Sequence, residues 1–194
     1  MESKASVCDY ASMAINENVE NQIKSGVLKK YVDISIPSGR GFEKVNWNSG
    51  IYDLISQDGR TTKVELDTVS FDVNNDGVEE FLVRLRSTTR WGDRDNIYFF
   101  EKVSDHHFNG HVFSSDLINE AASIDWSETS FMVENYGSVA ASKIEPTSFR
   151  GTNYLSLNAD GLRIFLVKVP PFLVLSNQKE ILNNVDLLCH LEFK

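Results

Sequence analysis

No stretch of this sequence approaches the roughly 20 consecutive apolar residues that a membrane-spanning helix needs. The richest candidate, residues 164–175, is broken by Lys168 and by Pro170-Pro171 and reads as core strand. Met1-Glu2-Ser3-Lys4 is not followed by the apolar segment of a secretory leader. That leaves two expectations open: a cytosolic chain, or a secreted chain whose leader has been removed. Glycine patterns that cradle phosphates are missing as well, neither Walker A nor G-x-G-x-x-G, which excludes nucleotide binding by those routes. The G-x-S-x-G nucleophile elbow is also absent. Positive charge is scarce: 19 Lys and Arg stand against 28 Asp and Glu, for a formal net charge of -9. Such a balance opposes non-specific binding to nucleic acid or anionic lipid, and it favours a cation or a basic protein partner.

Cysteine is nearly absent, and its two positions are informative. Cys8 shares a 3.6-period apolar stripe with Ala11, Ile15, Val19 and Ile23, while Cys189 alternates with Leu187, Leu191 and Phe193 on one face of a final strand. Both point inward, so a Cys8–Cys189 disulfide joining the two ends of the chain is expected, together with the oxidising, periplasmic or secreted setting such a bond implies. The alternative is a pair of unrelated buried thiols.

Hydrophobic residues at 41% and charged residues at 24% match ordinary globular usage, and 194 residues fit one core. The expected architecture is α+β: a single strand-rich domain over residues 1–194, with an N-terminal helix at about residues 7–28 and antiparallel β-meanders. Ser6 with Asp9 suggests an imperfect capping box, and Gly26 stands where a C-terminal cap is useful. Period-two alternation predicts strands over residues 31–36, 63–73, 81–86, 96–103 and 186–193, and a hairpin over residues 153–169 around Asn158-Ala159-Asp160-Gly161. Short helices are predicted near residues 116–122 and 178–184.

The most specific local signal is Asp72-Val73-Asn74-Asn75-Asp76-Gly77-Val78-Glu79-Glu80, between two predicted strands. A hard cation needs several oxygen ligands at close range, and acidic or amide side chains at alternate positions, with Gly at the sharp turn, supply them. Asp72, Asn74, Asp76 and Glu80 occupy loop positions one, three, five and nine, with the carbonyl of Val78 available from position seven. The segment resembles the calcium loops of EF-hands and, more closely, those of FG-GAP and VCBS-type repeats, where D-x-N-x-D-G-x-x-[DE] links two strands ahead of an apolar triplet, here Phe81-Leu82-Val83. The resemblance covers about a dozen residues and implies one bound calcium ion. Position twelve is Val83 and not the bidentate Glu of an EF-hand, and the chain has one copy where those repeats come in arrays. The competing reading is an Asn-Asp-Gly turn that holds no metal.

Arg90-Trp91-Gly92-Asp93-Arg94-Asp95 places an aromatic ring among arginines at an expected hairpin tip, a composition suited to partner contact. The surface expected to meet a partner combines Arg90, Trp91 and Arg94 with the acidic residues Glu65, Asp67 and Glu79. The class these features imply is a non-enzymatic extracytoplasmic protein-binding module, such as an inhibitor or immunity protein that occludes a basic secreted hydrolase or toxin. The alternative is a calcium-dependent extracytoplasmic hydrolase with an active site assembled from scattered carboxylates and histidines.

Overall fold

Small and branched side chains at helical spacing start the chain. In the computed structural model, which describes residues 4–28, 32, 34–55, 58–89, 92–100, 108–109, 112–114, 122–124, 131–133, 137–139, 141–159, 163–169 and 186–193, α1 (Lys4–Lys24) buries Val7, Ala11, Ala14 and Ile15 on one face. These are i, i+4, i+7 and i+8, the stripe of a helix lying on a core. Ser6 therefore falls inside the first turn and not at the cap. At the other end Gly26 adopts φ 94°. The Gly26 amide donates to the Ile23 carbonyl and the Val27 amide to the Gln22 carbonyl, each at 3.0 Å, which closes the helix ahead of the expected boundary.

Everything else with regular structure among the described residues is strand. The first five are β1 (Phe42–Lys44), β2 (Asn48–Ile55), β3 (Thr61–Phe71), β4 (Glu80–Thr89) and β5 (Gly92–Phe100). Short strands follow: β6 (Phe108–Asn109), β7 (Val112–Ser114), β8 (Ala122–Ile124), β9 (Phe131–Val133) and β10 (Gly137–Val139). The last four are β11 (Ala141–Phe149), β12 (Thr152–Ala159), β13 (Arg163–Lys168) and β14 (Asp186–Glu192). The α+β expectation is thus corrected to a mostly-β fold, in which one helix accompanies two large sheets. Ala122, expected in a helix, opens β8, while residues 116–121 and 178–184 lie outside the described residues.

One sheet has the order β1-β11-β12-β13-β14 and is antiparallel throughout. The other has the order β6-β7-β2-β3-β4-β5-β8, antiparallel except where β2 runs parallel to β7, and β9 and β10 form a separate antiparallel pair. The meander expected over residues 63–103 is β3-β4-β5. Its ladder continues to Thr89↔Gly92, so β4 and β5 extend well past the ends expected for the strands over residues 81–86 and 96–103.

The five-stranded sheet is covered on both faces. Leu155, Leu157 and Ala159 of β12 and Phe165 and Val167 of β13 join Leu82, Ile97 and Val73 from the seven-stranded side in one core. Tyr154, Ile164 and Leu166, the alternate residues of the same strands, pack with α1, Phe42 and Phe149 in another. Two covered faces explain why Ile164, Phe165, Leu166 and Val167 form an unbroken buried run where one-sided strands would alternate. The strand expected over residues 31–36 is not formed by its described residues. Ser35 and Ile36 are buried, and the Ile34 carbonyl accepts from the Asn158 side chain at 2.9 Å in place of a ladder. The chain ends are joined as expected: Cys8 of α1 and Cys189 of β14 form a disulfide with Cα atoms 5.5 Å apart.

Candidate functional site

Between β3 and β4 the chain reverses within residues 72–80, and its acidic and amide side chains bind the loop's own backbone. Asp72 accepts from the Asp76 amide at 3.1 Å through Oδ1 and from the Gly77 amide at 3.0 Å through Oδ2. Asn74 Oδ1 accepts from the Asp76 amide at 2.9 Å, and Asp76 Oδ1 from the Val78 amide at 2.8 Å. Asn75 and Gly77 take left-handed φ of 61° and 89°. Gly adopts this region freely and Asn more readily than most side chains, so the Asn-Asp-Gly composition is what the turn requires.

Asn74 and Glu80 are the buried polar members of the loop, at 5% and 4% exposure. Glu80 Oε2 accepts from the Val73 amide at 2.8 Å. Asn74 Nδ2 donates to Glu80 Oε1 at 3.2 Å and to Asp76 Oδ2 at 3.1 Å. Burial pushes the Glu80 carboxyl above its ordinary value; the Val73 and Glu80 amides oppose that shift, and the negative charges of Asp76 and Asp72 reinforce it. An amide N–H thus stands where Asp76 and Glu80 most need positive charge.

The donor set, three carboxylates and an amide, consists of the hard oxygens that calcium takes, and the electrostatic demand has the right sign. As they stand, no group of three or more His, Cys, Asp or Glu among the described residues is placed to hold a metal ion. Val78 exposes its side chain, so the carbonyl is what it has to offer a cation.

The residues expected to meet a partner are not all on the surface. Glu65, in β3 opposite Ile51, and Glu79, beside Val78, are exposed. Asp67 is corrected from that set: it is 2% exposed because Arg84 donates to its Oδ2 from Nε at 2.9 Å and from Nη2 at 2.8 Å. Ser49 donates to Asp67 Oδ1. Arg84 Nη1 also reaches Glu145 of β11 at 3.2 Å, and Trp47 lies under the guanidinium at 4.2 Å. Asp67, Arg84 and Glu145 therefore form an ion cluster linking the two sheets, which sequence reasoning missed. Arg90 and Trp91 lie outside the described residues. For Arg94 the structure gives a backbone position, opposite Ser87 in the β4–β5 ladder.

A shallow cleft with a polar rim runs between α1 and the turn at residues 37–40, lined by Glu17, Asn18, Asn21, Ser38 and Arg40 among others. Arg40 closes part of it through an ion pair with Glu17 at 2.8 Å. Comparison with protein-family models, with curated protein sequences and with solved structures gives no match to this chain.

Proposed function

We propose that this chain is an extracytoplasmic module that binds a basic protein partner, as an inhibitor or immunity protein does, and that one calcium ion held by residues 72–80 braces it. The observation that carries the proposal is the convergence of Asp76 and Glu80 on the Asn74 side-chain amide, with Asp72 accepting from the Asp76 and Gly77 amides of the same loop, which is partly buried and short of positive charge. Asp72, Asn74, Asp76 and Glu80 would hold the ion through side-chain oxygen, and Val78 through its carbonyl. Bound there, calcium supplies charge neutralisation and cross-linking of the β3–β4 reversal.

The extracytoplasmic setting is supported by the disulfide, which persists where thiols are not kept reduced. Among the described residues no helix is long and apolar enough to cross a membrane. The basic partner is supported by the net charge of -9 and by exposed apolar side chains beside exposed carboxylates: Ile51 lies across from Glu65, and Val78 adjoins Glu79.

Equilibrium dialysis of the metal-stripped chain against calcium tests the reading. The expected result is one ion per chain, lost in Asp72→Ala combined with Asp76→Ala. A wild-type chain that takes up no calcium at millimolar concentration contradicts it.

A further inference from the structure

The 72–80 loop is not an isolated turn. Its first half, residues 72–75, is locked to β12, on the other sheet, through one residue. The Asn153 amide donates to Asn75 Oδ1 at 2.7 Å, and Asn75 Nδ2 returns a bond to the Asn153 carbonyl at 3.1 Å. Asn153 Nδ2 also donates to the Asp72 carbonyl at 2.6 Å. Asn153 is itself held in register opposite Ser148 in the β11–β12 ladder.

We infer that Asn153 is the positioning residue of the calcium loop, so that β12 sets the affinity of residues 72–80 for the ion; this rests on the calcium reading above. The reasoning concerns the two points that Asn153 fixes. Asp72 is the first candidate ligand, and its backbone is anchored by the bond to Asn153 Nδ2. Asn75 joins the candidate ligands Asn74 and Asp76, and its left-handed backbone, at φ 61°, is held by the reciprocal pair. Outer partners that fix the orientation of first ligands typically change metal affinity 10- to 100-fold when removed. Thermodynamic linkage makes the effect reciprocal: calcium in the loop tightens the attachment of the loop to β12.

The test is calorimetric titration of calcium into the metal-stripped full chain, for the wild type, Asn153→Ala and Asn75→Gly. Gly keeps the left-handed backbone without strain while removing the side-chain clamp, so it separates the clamp from the turn. The expected result is a Kd about tenfold or more above wild type in both variants, with one site retained. Hydrogen exchange at the Asn153 amide should slow on adding calcium to the wild type and respond less in Asn75→Gly. A merely structural Asn153 lowers the melting temperature of the metal-free variants and leaves Kd at the wild-type value, and that outcome overturns the inference. A flat wild-type titration brings down the calcium reading itself, and the inference with it.

Discussion

Asp67 and Arg84 face each other across β3 and β4, and two guanidinium nitrogens, at 2.9 and 2.8 Å, share one carboxylate oxygen in the buried seam between the sheets. A buried charge that loses a partner keeps its desolvation penalty. Arg84 would stay buried and keep Glu145 at 3.2 Å while losing both bonds to Asp67, so Asp67→Ala is expected to lower the unfolding free energy by up to about 3–5 kcal/mol in urea denaturation. Adding Arg84→Met to that variant should recover part of the loss, because the buried cation is gone and Glu145 keeps Lys143 at 3.4 Å. A single variant at wild-type stability would show that the pair is not desolvated.

The disulfide makes a second quantitative expectation. It closes a loop of 181 residues in sequence separation, for which restriction of the unfolded chain gives about 5 kcal/mol as an upper figure, with 2–4 kcal/mol typical. Cys8→Ala with Cys189→Ala should lose stability in that range. Hydrogen exchange should rise first in α1, whose buried face packs on β13 and β14. Equal stability of the oxidised and cysteine-free chains would place the bond outside the energetics of the fold.

How much of this was legible in the sequence depended on how many faces of each element are covered. The disulfide was readable because Cys8 sits on a helical stripe and Cys189 on a period-two face, and each pattern gave a direction. The β12–β13 hairpin was readable from its Asp160-Gly161 turn signal, because the flanking strands, buried on both faces, do not alternate. In β2 the rule misleads: Ile51 and Ile55 are exposed while Tyr52 is buried, so the apolar residues do not mark the core face. In β4 both Leu82 and Val83 are fully buried, one toward the five-stranded sheet and one on the opposite face, so alternation gives no direction. Asp67 looked like a surface acid for the same reason: Arg84 and Glu145, which hold it in the seam, are 17 and 61 residues further along in two steps of chain separation. The turn over residues 72–80 was visible as a local string, whereas its contact Asn153 is 78 residues beyond Asn75 and belongs to no motif.

Glu80 supplies a prediction with an unusual sign. Its carboxyl is raised above the ordinary value by burial, and by Asp76 and Asp72, so the folded state favours the protonated form. The stability this group contributes is full below its unfolded value and is lost as pH rises through the folded value. In metal-free protein at neutral pH, Glu80→Gln removes the buried charge and its one oxygen keeps the Val73 amide, but its Nε2 then faces the Asn74 Nδ2 donor, so the two effects oppose each other. The stability of the variant relative to wild type should therefore be highest at neutral pH and fall on acidification through the range just above ordinary carboxylate values. Calcium lowers it further, because the ion favours the carboxylate that the variant lacks. Melting curves of both proteins across pH, with chelator and with calcium, check the sign in each state.

Partner binding is predicted to divide between rate and lifetime. With a basic partner, Glu65→Lys should slow association, and the wild-type rate should fall with salt as the Debye length shortens to about 10 Å at 0.1 M. Trp91→Ala should act after encounter, weakening affinity by at least about 2 kcal/mol through faster dissociation. Surface plasmon resonance over a salt series separates the two. Salt-independent association with unaltered affinity in Trp91→Ala would move the interface elsewhere.

The brace itself is tested most directly by the thermal melt of metal-stripped wild-type chain, with excess chelator and then with millimolar calcium. An ion bound by the native state alone stabilises it by about 2.7 kcal/mol at a hundredfold excess over Kd. The account predicts a clear rise in melting temperature with calcium, abolished in the Asp72→Ala, Asp76→Ala double variant. Superimposable wild-type curves in calcium and in chelator would contradict it and reduce residues 72–80 to a turn.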